Sequence, residues 1–273
     1  MNDLDSFVKL LLALDPWRAN LILIGGWGHR LHALHPKAAK QNHQPVFTRD
    51  TDLLFKDRMP VEADILQALQ THGFVEQFSG DYCPPTAHYT LGQEDAGFYA
   101  EFLVPLKGRA YKADNTPDAT ALIAGVSAQK VRYLDVLQID PWIVTVSKDA
   151  GFDLPNPMDV FVPHPLCFMV QKFLIKETRT QQKQAQDLLY VYDTLQHFFM
   201  FLDEFRDDWY ARIVPNMPEP WAKRIQQEWE VSFIKNGEIA TIAAGIGHGR
   251  QPALTATLIQ AALRLGYQKI FGQ

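Results

Sequence analysis

The chain has 273 residues, 47% hydrophobic and 21% charged, a composition ordinary for a folded globular protein and unlike that of a disordered one. Its net charge of −5 divides as −6 over residues 1–159 (14 Lys+Arg against 20 Asp+Glu) and +1 over residues 160–273 (12 against 11), which disfavours bulk gripping of nucleic-acid phosphates. The N-terminus lacks a basic stretch leading into an apolar core, no apolar run approaches the ~18 residues of a membrane span, and Cys83 and Cys167 lack metal-type spacing, so a cytoplasmic protein with two free thiols and no membrane association is expected.

Residues 2–15 carry Leu4, Phe7, Val8, Leu10, Leu11, Leu12 and Leu14 at helical spacing, and Pro16 ends the pattern. Leu21-Ile22-Leu23-Ile24 then reads as a buried strand stopped by Gly25-Gly26, and Trp27, Leu31 and Leu34 recur as on a helix. The glycines therefore sit at a helix start, where unpaired N–H groups favour an anion and the missing Cβ lets a phosphate approach the backbone. His29, His32, His35 and the later His43 are read as polar helix and loop positions, since no carboxylate or thiol stands at ligand spacing to them. Pro36 to Pro45 is an exposed polar loop.

Thr48-Arg49-Asp50-Thr51-Asp52-Leu53-Leu54-Phe55 reads as the next strand. Asp50 and Asp52, two apart, point to one face roughly 6.5 Å from each other. Paired carboxylates so placed suit a hard cation such as Mg²⁺, which brings substrate phosphates with it. A helix is expected from Pro60 to His72-Gly73, a strand at 74–78, and a hairpin of His88–Leu91 with Gly97–Val104. Glu101 falls mid-way along the second arm, where an unpaired carboxylate is costly unless exposed, paired or metal-bound. Lys107, Arg109 and Lys112 follow and offer positive charge to a phosphate. Further strands are expected at Val131–Leu137 and Trp142–Val146, and Asp149–Pro157 reads as a linker.

Beyond Pro163 the pattern is helical. Pro165 suits a first turn, and Lys172, Arg179, Lys183 and Asp187 fall on one face of a continuous helix, with Asp187 beside Lys183 at i, i+4. Leu189, Tyr192, Leu195 and Phe199 are its expected buried positions, and later helices are expected at 219–235, 237–246 and 253–269. The fold class expected is α+β: a mixed sheet flanked by helices over residues 1–155, then an all-α part over 156–273.

Gly25-Gly26 after a strand, followed by Thr48-x-Asp50-x-Asp52-Leu53-Leu54, resembles the DNA polymerase β-like nucleotidyltransferase superfamily, especially its small bacterial and abortive-infection-type members. The resemblance extends to Val131-Arg132-Tyr133-Leu134-Asp135 as the strand after the third carboxylate, and to Pro163-x-Pro165, Lys172, Arg179 and Lys183 on the following helix. It covers roughly residues 20–195. It implies Asp50, Asp52 and Glu101 as catalytic and metal-binding residues for two Mg²⁺ ions, and Gly25, Gly26, Arg49, Lys172, Arg179 and Lys183 as contacts to a nucleoside triphosphate. The reaction implied is nucleotidyl transfer to an acceptor hydroxyl on RNA, protein or a small molecule. Trp27 departs from the pattern, which has a small residue, often Ser, after the two glycines. That departure motivates a second reading, an inactive binding or regulatory module of toxin–antitoxin type.

Overall fold

A computed structural model describes residues 3–43, 45–46, 48–56, 63–80, 85–92, 97–229, 235–250 and 252–272. Helix α1 (Asp3–Leu14) buries Phe7, Leu10, Leu11 and Leu14, carries Asp3 and Asp5 in its first turn where the helix dipole favours them, and gives way to a 3₁₀ turn at Pro16. Strand β1 (Leu21–Ile24) follows, buried along its whole length as befits a strand covered on both faces. Helix α2 (Gly25–His32) leads to β2 (Asp50–Phe55), and Asp64 caps α3 (Ile65–Thr71) by accepting from the Gln67 amide. The helix start expected at Pro60 lies outside the described residues.

Strands β3 (Val75–Ser79), β4 (Thr86–Leu91) and β5 (Phe98–Pro105) come next, then β6 (Thr120–Ile123), β7 (Val126–Val131), β8 (Trp142–Val146) and β9 (Met158–Val162). They form one mixed sheet in the order β3-β4-β5-β2-β1-β9-β8, with β7 also on β5 and β6 on β7. β2 runs antiparallel to β1 and parallel to β5. Leu21, Leu23, Leu53, Phe55, Ala100 and Phe102 share the main core with α1 and α3, whereas Ile22, Ile24, Leu54 and Leu103 form a smaller cluster with Leu134 and Leu137.

The mixed sheet followed by helices is the α+β arrangement read from the sequence. Two local expectations fail in the sheet unit. The strand expected at Val131–Leu137 ends at Val131, because Tyr133 takes a left-handed φ of 65° and Asp135–Gln138 coils into a 3₁₀ turn; the strand lies earlier, paired with β6 across a turn at Ala124 and Gly125 (φ 49° and 81°). Asp149–Pro157 precedes β9, which hydrogen-bonds to β1 and β8, so this turn-rich stretch joins two strands of the same sheet.

The chain divides into two units, residues 1–34 with 47–163 and residues 35–46 with 164–273. The second contains α4 (Pro165–Ile175), α5 (Gln181–His197), α6 (Leu202–Asp208), α7 (Glu219–Trp229), α8 (Gly237–Ile246) and α9 (Ala256–Phe271). His164 caps α4, whose residues are all buried, and Trp209, Trp229, Phe173 and Phe271 pack ring on ring at 5.0–5.9 Å. The single helix expected across 172–187 is broken: α4 stops at Ile175, and Thr180 starts α5 by accepting from the Lys183 amide. α5 in turn ends at His197, which leaves Phe199 49% exposed and gives Phe198 the buried place.

Candidate active site

Alternation along β2 sends Thr51, Leu53 and Phe55 into the main core and Asp50, Asp52 and Leu54 to the opposite face. Register carries that face across the sheet: Asp50 lies opposite Tyr99, Asp52 opposite Glu101, and Leu54 opposite Leu103. On the other side of β2, Ile24 pairs with Asp52 and Ile22 with Leu54. One face thus has an apolar end, filled by Ile22, Leu54 and Leu103, and an acidic end made of Asp50, Asp52 and Glu101. Glu101 stands where β5 changes neighbours, since Phe98–Ala100 pair with β4 and Phe102–Pro105 with β7.

The acidic end meets the glycine turn. Ile24 is the last residue of β1, and Gly25 turns the chain with φ +61°, so close to Asp52 that a Cβ there would collide with Oδ2. Only glycine satisfies both the left-handed backbone and that approach. Asp50 accepts a hydrogen bond from the Thr48 hydroxyl through Oδ1. Arg49 is exposed, and its carbonyl accepts from the Tyr99 amide.

Electrostatics mark the same place. Burial, then Asp52, then Asp50, push the Glu101 carboxyl from 4.5 up to about 7, and every one of those causes raises it. Burial followed by Asp50, Glu101 and Asp52 takes the Tyr99 hydroxyl to about 12, so it stays a hydrogen-bond donor at neutral pH. Its ring also meets His88 at 5.6 Å. Tyr99 is the site residue that sequence reasoning missed, although its place two positions before Glu101 puts it on the same strand face.

Among the described residues, no group of three or more His, Cys, Asp or Glu is arranged so that it could already hold a metal ion. The carboxylates share a face and repel one another without converging on one point. Their chemistry, three hard oxygen donors with mutual repulsion, fits Mg²⁺ better than a softer metal.

Trp27 stays out of this region. It is fully buried, stacks on Phe7 with ring centroids 3.9 Å apart, and meets Phe98 edge-on at 6.2 Å. The histidine row also separates: His29 and His32 are buried in α2, with His32 Nε2 donating to the Pro163 carbonyl at 2.8 Å, while His35 and His43 belong to the second unit. Lys107, Arg109 and Lys112 are exposed in the irregular segment after β5, and none of them is a cause of the Glu101 shift.

In the second unit, Lys172 is buried and meets Asp187 at 2.9 Å, and Arg179 Nε stands 3.5 Å from the other oxygen of the same carboxylate. Asp187 thus serves these two cations rather than Lys183, which is exposed on the first turn of α5. The basic row expected on one helix is in fact a buried Lys172–Asp187 pair joined by the half-exposed Arg179, plus one surface lysine.

Comparison with known proteins supplies a family. A family model described as nucleotidyltransferase matches residues 2–214, which is 213 of the 273 residues. No curated protein matches the chain.

Proposed function

The chain belongs to the nucleotidyltransferase family that its residues 2–214 match, and from that premise we propose that it moves a nucleotidyl group from a nucleoside triphosphate to an acceptor hydroxyl, on a fold of the DNA polymerase β-like kind. The observation that carries the reading is the gathering of Asp50, Asp52 and Glu101 on one sheet face, with Gly25 packed against Asp52.

Asp50, Asp52 and Glu101 would hold Mg²⁺, which supplies Lewis-acid offset of the phosphate charge when bound. The backbone N–H groups of Gly25 and Gly26 at the start of α2 take phosphate oxygens, as helix N-termini do. Thr48 orients Asp50, and the Tyr99 hydroxyl, protonated at neutral pH, donates to substrate oxygen. Arg49, exposed beside the carboxylates, is assigned to the triphosphate, whereas Lys172 and Arg179, engaged with Asp187, are assigned to holding α4 against α5.

The inactive-module reading rests on Trp27 standing where the pattern has a small residue, often Ser, after the two glycines. Trp27 stacks on Phe7 in the core, so its ring is occupied by packing, and a labelled-transfer experiment separates the two readings.

The test is transfer of label from α-labelled NTPs with Mg²⁺ to acceptors in a cell lysate. The double variant Asp50→Asn, Asp52→Asn should lose transfer by roughly a thousandfold, the scale of removing charge stabilisation from a transition state. Unchanged Mg²⁺-dependent turnover in that variant would overturn the assignment.

A further inference from the structure

In the second unit, residues 41–43 and the turn after α8 line an open cavity of about 490 Å³ that the reaction above does not use. Arg250, Gln41, Asn42, His43 and His248 line it. Its cation is fixed from below: Asp193 on α5, fully buried, grips Arg250 with both carboxylate oxygens, the Nη2–Oδ2 contact being 2.8 Å. His43 Nε2 stands 3.8 Å from the same carboxylate.

His248 is oriented as well. Its Nδ1 lies 3.0 Å from the Gly245 carbonyl at the end of α8, and because a carbonyl only accepts, Nδ1 carries the hydrogen. Nε2 is then the ring's other polar atom, an acceptor when neutral and a donor once protonated. None of the described lining residues is acidic. Beside Ile246 and two glycines, the polar side chains of the wall are two imidazoles, a guanidinium and two carboxamides, which suit an anion with several acceptor oxygens. The cavity has room beyond a lone phosphate, and Gln41 and Asn42 offer carboxamides to whatever extends from it.

We propose that this cavity binds the phosphate of a small phosphorylated polyhydroxy compound, with His43, His248 and Arg250 donating to phosphate oxygens and Gln41 and Asn42 reading neighbouring hydroxyls. The site consists of residues of this unit alone and stands or falls independently of transfer chemistry at Asp50 and Asp52.

Titrating inorganic phosphate into the full-length protein at fixed ionic strength, with imidazole resonances followed by NMR, tests it. His43 and His248 should shift saturably and in step, while His88, whose ring lies against Tyr99, reports separately on phosphate taken up near the carboxylates. His43→Gln and His248→Gln should each weaken binding about tenfold, the loss of one charge-assisted hydrogen bond, with melting temperatures near that of the parent. Ribose 5-phosphate should bind more tightly than phosphate. Shifts that grow linearly and are reproduced by chloride, a double variant that binds phosphate as the parent does, or a sugar phosphate that binds no better than phosphate would each overturn the proposal.

Discussion

In the helical unit Asp187 meets Lys172 and Arg179, and Asp193 is gripped by Arg250, so each of these buried carboxylates has its countercharge beside it. In the sheet unit the charged neighbours that shift Glu101 are Asp52 and Asp50, and its carboxyl sits near 7 instead of 4.5. The contrast separates two uses of buried charge. A matched pair contributes structure, and its removal leaves the partner stranded. A group of like charges lowers stability by itself and is relieved by something that arrives from outside, a proton or a cation.

Four measurements sharpen that contrast. The largest effect is expected from Arg250→Leu, which strands the Asp193 carboxylate and should cost about 3–5 kcal/mol in urea denaturation; a loss under 1 kcal/mol would mean that Asp193 is solvated in the variant. Next, Mg²⁺ at a hundred times its dissociation constant should stabilise the parent by about 2.7 kcal/mol. The gain should show as a rise in melting temperature at pH 8 and be absent from the Asp50→Asn, Asp52→Asn variant.

Third is the pH dependence of Glu101. The unfolded carboxyl ionises at its ordinary value, whereas the folded one keeps its proton up to about 7. Between those limits the unfolded state binds fewer protons, so this group's contribution to stability falls as pH rises from about 4.5 to 7 and then levels off. Glu101→Gln removes the ionisation and should gain on the parent by the order of 1–3 kcal/mol between pH 5 and pH 8. A constant difference across that range would count against the repulsion argument. The smallest effect belongs to Lys183→Ala, which changes an exposed side chain outside the Lys172–Asp187–Arg179 cluster and should stay within about 0.5 kcal/mol in melting; a larger loss would mean that Lys183 shares the Asp187 carboxylate.

The acidic end of the sheet was legible because its signals are local or periodic. Asp50 and Asp52 alternate with core residues on one strand, Gly25-Gly26 follows four consecutive apolar residues, and Glu101 interrupts an apolar run. The strand β7 was not legible at its true place, because Val126-Ser127-Ala128-Gln129-Lys130-Val131 carries a weak apolar signal and owes its pairing to β5, more than twenty residues earlier. The break between α4 and α5 was hidden for a similar reason. Lys172, Lys176, Arg179 and Lys183 keep helical spacing, and only the Thr180 cap shows that two helices meet there. Lysine reads as exposed in any one-dimensional pattern, so the burial of Lys172 appears only once Asp187 is found against it. The cavity at Arg250 joins residues some two hundred positions apart, and nothing in either segment alone announces the other.

The contact between Gly25 and Asp52 has a stereochemical consequence. An L-residue at position 25 is excluded twice, by the left-handed φ and by the collision of its Cβ with the carboxylate. A D-residue is at ease at that φ, and its Cβ projects along the bond that the L series gives to hydrogen. D-alanine installed by chemical synthesis therefore meets the left-handed turn without placing a Cβ where an L-residue would collide with the carboxylate. Every substitution the genetic code offers at this codon meets both demands at once, which closes the position to ordinary variation and leaves it open only to mirror-image chemistry.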